Sequence, residues 1–226
     1  AYGSPYKESS RNNSAFLSKK VINFLDKLDP NKVDKLIFSG DLFSHPTAKK
    51  WIELNSRYGK SFSIHISPGN HDIRGRTREN NKYRDIFNKY SNQQVNFPYY
   101  FSASGFTIII DDSNVKNSVY DEKLLNIVRN NYTADSRILL IRHHVPIKDL
   151  ANYKNSKSKI PSFDEFSNLY RGLKMTIIAG DYVGHLNSLA CKSNNDIDLI
   201  INGIREDKTD RIIVLSNAKL FQIKIW

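Results

Sequence analysis

Two short apolar runs that each stop at a glycine constrain this chain most. Residues 35–39, Lys-Leu-Ile-Phe-Ser, run into Gly40-Asp41. Roughly thirty residues later Phe62, Ile64 and Ile66, alternating with Ser63 and His65, run into Pro68-Gly69-Asn70-His71-Asp72. Compact runs of this kind with abrupt polar ends read as strands. A helix is predicted between them, around residues 47–58, and another ahead of them, where Leu17, Val21, Phe24, Leu25 and Leu28 recur at helical spacing after Ser14 as cap and before Asp29-Pro30 as stop. Strands that alternate with helices and deliver polar residues at their ends are the units of an α/β fold. In open α/β sheets ligands collect in the crevice beyond those ends.

The rest of the chain repeats the pattern with variations. Tyr83, Ile86, Phe87 and Tyr90 mark an amphipathic helix. Residues 99–102 and 106–110 flank Ala103-Ser104-Gly105 as a hairpin. A helix around residues 120–128 leads to a strand over 137–141 that ends in His143-His144, and residues 151–162 read as a polar surface loop. A strand over 174–179 ends in Gly180-Asp181, with His185 close behind, and a strand-rich tail covers 188–191, 197–201, 211–215 and 220–225. Helix–strand units first and antiparallel strands late suggest two sheets with helices outside them. Four separate strands thus end in residues that bind metals or move protons.

Composition sets the outer bounds. A chain of 226 residues fits one large α/β domain, and no linker divides it. A 39% hydrophobic content with 12 Phe and 12 Tyr is enough to reject disorder. No apolar run approaches the roughly 20 residues that cross a bilayer, and Ala1-Tyr2-Gly3-Ser4 does not open a signal peptide. The expectation is a soluble chain, with the cytoplasm slightly favoured and both compartment and oligomeric state open. One cysteine, Cys191, excludes an internal disulfide framework and a Cys-rich zinc site. The net charge of +11 favours anionic partners. Nucleic acid is among them but is not indicated, because the Lys and Arg residues are scattered and no RNA-binding aromatic signature occurs.

The candidate donors are carboxylates, an amide and imidazoles: Asp41, Asn70, His143, His144, Asp181 and His185. Such a mixed set suits Mn, Fe or Zn better than Ca or Mg, which prefer all-oxygen shells. Phosphoester cleavage needs this combination, since cations neutralise the shielding oxygens and make a water acidic enough to attack.

In their order and spacing, Gly40-Asp41, Gly69-Asn70-His71-Asp72, the His143-His144 pair and the late glycine with Asp181 or His185 resemble the motifs of calcineurin-like metallophosphoesterases. The resemblance covers nearly the whole chain. It implies a four-layer α/β/β/α sandwich with two mixed β-sheets, and metal-dependent hydrolysis of a phosphate monoester or diester. It also implies two divalent transition-metal ions in the intact protein and an anionic phosphorylated substrate. Asp41 would bridge the metals, Asn70 and one of His143 and His144, more readily His143, would bind the second, His71 would contact the phosphate or protonate the leaving oxygen, and Asp72 would orient His71. Arg74, and with it Arg76, could clamp a phosphate, while His45 and His65 read as structural.

Two departures bear on function. The family's opening Asp-x-His has no counterpart before Asp41, so the expectation for residues 1–226 is a single domain whose first strand lies upstream of Ala1. The terminal Gly-His-x-His is replaced by Gly180-Asp181-Tyr182-Val183 followed by Gly184-His185-Leu186-Asn187, and strand ends favour Asp181 where residue type favours His185. The alternatives are a non-catalytic binding or scaffold protein with an incomplete metal site, and a nuclease drawn to the positive charge.

Overall fold

The computed structural model describes residues 16–43, 45–74, 82–93, 96–114, 120–133, 135, 137–148, 160–181, 190–194, 196–201, 211–217 and 219–224. The chain opens with α1 (Lys19–Leu25), β1 (Lys35–Phe38), α2 (Ala48–Tyr58) and β2 (Ser63–Ile66). α3 (Asn70–Arg74), α4 (Lys82–Tyr90) and the hairpin β3 (Tyr99–Ala103) and β4 (Phe106–Ile110) follow. Next come α5 (Glu122–Asn130), β5 (Ile138–Arg142), α6 (Phe163–Leu169) and β6 (Met175–Ala179), then β7 (Ala190–Ser193), β8 (Ile197–Ile201), β9 (Arg211–Ser216) and β10 (Lys219–Lys224). β1 and β2 pair in parallel across α2, β9 and β10 form an antiparallel hairpin, and a six-stranded sheet runs in the order β3-β4-β5-β6-β8-β7. That sheet is mixed: β4, β5, β6 and β8 are parallel, with antiparallel β3 and β7 at its edges.

The apolar pattern explains the layering. Successive side chains of a strand face opposite ways, so a continuous apolar run is a strand covered on both faces. Ile109, Leu140, Ile177 and Leu199 pack on one side of the large sheet with Leu124 and Val128 of α5 and Phe166 of α6. Ile108, Ile110, Leu139, Ile141 and Ile178 point the other way, into a core shared with Ile37 of β1 and with Ile213, Leu215 and Leu220 of the β9–β10 hairpin. Beyond β1 and β2, Leu36 and Ile66 meet Val21 and Leu25 of α1, Trp51 and Leu54 of α2, and Phe87 of α4. Helices, sheet, sheet and helices therefore stack as the mixed α/β layers expected.

Local chemistry sets the element ends. Ser18 caps α1 by accepting from the Val21 N–H, in the role expected of Ser14, which lies outside the described residues. Thr47 caps α2 and Asp121 caps α5 in the same way. At the β3–β4 turn Ser104 and Gly105 both have positive φ, 50° and 77°, the geometry a tight two-residue hairpin requires. α6 was not anticipated. It begins at a capping box in which Ser162 and Glu165 satisfy each other's backbone N–H. Among the described residues no helix is long and apolar enough to cross a membrane.

Candidate metal centre

The polar ends of β1 and β2 are tied together by one buried carboxylate. Asp72 Oδ1 accepts from the backbone N–H groups of Leu42 (2.9 Å) and Phe43 (3.2 Å), and Oδ2 accepts from that of Gly69 (3.0 Å). Burial, and next the charge of Asp41, push its carboxyl up to about 6 against the pull of the Gly69 N–H. These bonds join the loop after β1 to the loop after β2. That is a structural task distinct from the orienting of His71 that the resemblance implies.

Asp41 itself sits at positive φ (55°), next to Gly40 at 91°. A non-glycine residue held there carries roughly 1–2 kcal/mol of strain, and the surrounding bonds must hold it. One is visible: the His71 N–H donates to Asp41 Oδ1 at 2.9 Å. The turn leaves Asp41 buried, with its other oxygen 3.4 Å from His143 Nε2.

His143 arrives from β5 on the other sheet. Its Nδ1 lies 2.9 Å from the Ser39 carbonyl oxygen and its Nε2 3.2 Å from Asn70 Oδ1. Burial alone would lower its basicity, but the charge and hydrogen bond of Asp41, then Asp181 and the Ser39 carbonyl, push it up to about 9. The converse holds for Asp41: burial raises its carboxyl, and His143 followed by His71 outweighs burial and holds it well below the usual range. Carboxylate, amide oxygen and imidazole thus converge on one point, His143 Nε2 facing both Asp41 Oδ2 and Asn70 Oδ1. The two sheets meet closely here, since a Cβ on Gly180 would lie 2.1 Å from the Ser39 carbonyl oxygen.

Asp181 is drawn in by the parallel pairing of β5 and β6, whose ladder continues past the strand ends. The Gly180 N–H donates to the Arg142 carbonyl (3.1 Å) and the Asp181 N–H to the His143 carbonyl (2.7 Å). One donor atom each from His143, His144 and Asp181 lies within 4.8 Å of the others, a group that could hold a metal ion. The imidazoles of His143 and His144 stand edge to face at 76°, 4.8 Å apart.

Further residues shape this corner. Ser113 Oγ accepts from the His144 backbone N–H (2.9 Å) and lies 3.1 Å from His144 Nδ1. Arg142, buried, donates from Nε to the His144 carbonyl (3.0 Å) and pairs across 3.6 Å with the buried carboxylate of Asp111. Asp112 holds the Arg84 guanidinium at 2.8 Å, and Asn114 donates to the Pro68 carbonyl at 2.7 Å. Asp111 to Asn114 follow β4, which runs parallel to β5, so they emerge at the same edge as His143. Sequence reasoning missed them because β4 was read only as half of a hairpin.

Of the residues singled out in the sequence, Asp41, Asn70, His71, Asp72, His143, His144 and Asp181 lie at this edge. His185 and Arg76 lie outside the described residues, as do residues 151–159 of the expected loop. Arg74 ends α3 and Cys191 lies in β7, their side chains outside the description. His65, read as structural, stacks on Phe101 with ring centroids 4.0 Å apart, and His45 offers its carbonyl to Lys50 Nζ.

The donor set fits a divalent transition metal in kind: carboxylate and amide oxygens stand beside imidazole nitrogens, held in place by backbone contacts. The family model described as Calcineurin-like phosphoesterase matches residues 16–216. No curated protein matches the chain.

Proposed function

Because the chain belongs to the calcineurin-like phosphoesterase family, we propose that it hydrolyses a phosphate monoester or diester with the aid of divalent transition-metal ions, Mn, Fe or Zn. The observation that carries this reading is the convergence of Asp41, Asn70 and His143 from three strand ends on two sheets. In this proposal residues 1–226 act as one domain, and Asp41, Asn70, His143 and Asp181 hold the metal. Bound there, the ions would neutralise the ester oxygens and make a water nucleophilic near neutral pH.

The remaining work falls to the chain's own groups. His143, with Nδ1–H directed at the Ser39 carbonyl, would offer Nε2 as a neutral donor to a bound cation. His71 sits on α3 between Asn70 and Asp72, its backbone fixed by Asp41. From there its imidazole can donate a proton to the leaving oxygen. The net charge of +11 aids capture of an anionic ester at low ionic strength.

The test is Mn²⁺-stimulated hydrolysis of an aryl phosphate and an aryl phosphodiester by the intact chain beside Asp41→Asn and His71→Ala. Asp41→Asn should lose both metal and turnover, whereas His71→Ala should keep metal and lose turnover. A wild-type chain that binds Mn²⁺ yet turns over neither ester would favour the binding-scaffold alternative. Cleavage confined to nucleic acid and suppressed by salt would favour a nuclease.

A further inference from the structure

The Ser113–His144 pair fixes which nitrogen of His144 carries the proton. Ser113 is buried, and among the described residues its Oγ has partners on His144 alone: the backbone N–H, which it accepts from, and Nδ1 at 3.1 Å. A buried hydroxyl hydrogen left without an acceptor is costly. Nδ1 is the acceptor on hand, so the Ser113 O–H donates to it and the neutral imidazole carries its hydrogen on Nε2. A nitrogen that bears hydrogen has no lone pair in the ring plane for a metal. The same ring lies beside His143 and Asp181, and Arg142 holds its backbone carbonyl from the other side.

We propose that His144 is a substrate-binding hydrogen-bond donor and not a metal ligand, presenting Nε2–H to a phosphoryl oxygen, with Ser113 as the positioning residue that sets its tautomer. This rests on the phosphoesterase reading of the site and assigns His144 a part in it. A donor of this kind strengthens as charge builds on the phosphoryl oxygens, so it serves catalysis as well as binding.

The probes are Mn²⁺ alone, then inorganic phosphate added to the Mn²⁺-loaded full chain, each followed by calorimetry. Wild type is compared with His144→Ala, His144→Gln, Ser113→Ala and, as the ligand control, His143→Ala. His144→Ala should bind Mn²⁺ as wild type does but lose about tenfold or more in phosphate affinity. His144→Gln, which keeps an N–H donor, should recover part of the loss. Ser113→Ala should show a smaller loss together with a mixed tautomer in the imidazole ¹⁵N spectrum, where wild type shows Nε2–H alone. Loss of Mn²⁺ affinity in His144→Ala on the scale of His143→Ala would overturn the proposal, as would unchanged phosphate affinity or an Nδ1–H tautomer in wild type. These readouts do not depend on turnover. An inactive wild type would therefore count against the phosphoesterase reading without deciding the role of His144.

Discussion

His143 Nδ1 lies 2.9 Å from the carbonyl oxygen of Ser39, one position before the Gly40-Asp41 turn. That contact joins the second sheet to the first and leaves Nε2 to face Asp41 and Asn70. It is available only because the intervening residue has no side chain.

Gly40 is therefore the first position to test. Its φ is 91°, and a Cβ there would lie 2.7 Å from both His143 Nδ1 and the Gly69 backbone nitrogen. Strain and overpacking together should cost Gly40→Ala about 2–4 kcal/mol of stability. Because the displaced atom belongs to His143, Mn²⁺ affinity should fall as well. Urea unfolding and a Mn²⁺ titration measure the two effects. A variant as stable as wild type with full Mn²⁺ affinity would show that the turn is not constrained as described.

Asp72 and His71 are neighbours with separable tasks. Asp72→Asn replaces one acceptor oxygen with an N–H₂ that must face a backbone N–H, Leu42 and Phe43 on one side or Gly69 on the other. The expected loss is about 1–3 kcal/mol, read as a lower urea midpoint with an unchanged slope. His71→Ala removes no bond of that clamp and should leave the midpoint near that of wild type while lowering kcat.

How far the sequence reaches follows from the same geometry. Asp41, Asn70 and His143 were legible because each ends an apolar run at a parallel strand, and such ends share one edge. Asp111 obeys the same rule after β4, but a hairpin partner on one side of β4 concealed its parallel partner on the other. Arg142 was illegible for another reason: an arginine at the end of a strand is ordinarily solvated, and only tertiary packing buries it against Asp111. α6 carried a signal in the Ser162 and Glu165 capping box, yet its seven residues are too few for a helical period to stand out. At the altered last motif the 2.7 Å bond from the Asp181 N–H to the His143 carbonyl sets Asp181 beside the two histidines, while His185 lies outside the described residues.

His65 supplies a pH dependence. Burial, and next the charge of Lys35, lower its basicity below the ordinary imidazole value. The unfolded chain therefore binds the proton more readily than the folded one. The contribution of His65 to stability is full above about pH 6.5, where this ring is unprotonated in both states, and falls as pH drops below that value. His65→Phe keeps a ring against Phe101 but cannot titrate, so part of the acid-side slope should vanish. Urea unfolding at intervals from pH 5 to 8 compares the two chains, and identical slopes would refute the assignment.

The Asp111–Arg142 pair couples stability to the site. Both side chains are buried, and Arg142 also holds the His144 carbonyl. Burial raises the Asp111 carboxyl to about 6 even though Arg142 pulls it down, so desolvation outweighs the attraction and the pair is poor value as a stabiliser. Removing one partner nevertheless strands the other: Arg142→Leu or Asp111→Leu alone should cost about 3–5 kcal/mol. The double replacement should recover much of that loss, because no buried charge is left uncompensated. If the pair is kept for the position of His144, the double variant should regain stability but not kcat. A double-mutant cycle on unfolding free energy, with kinetics on the same four proteins, separates these effects. Recovery of both stability and kcat would mean that the ion pair has no part in positioning the histidine.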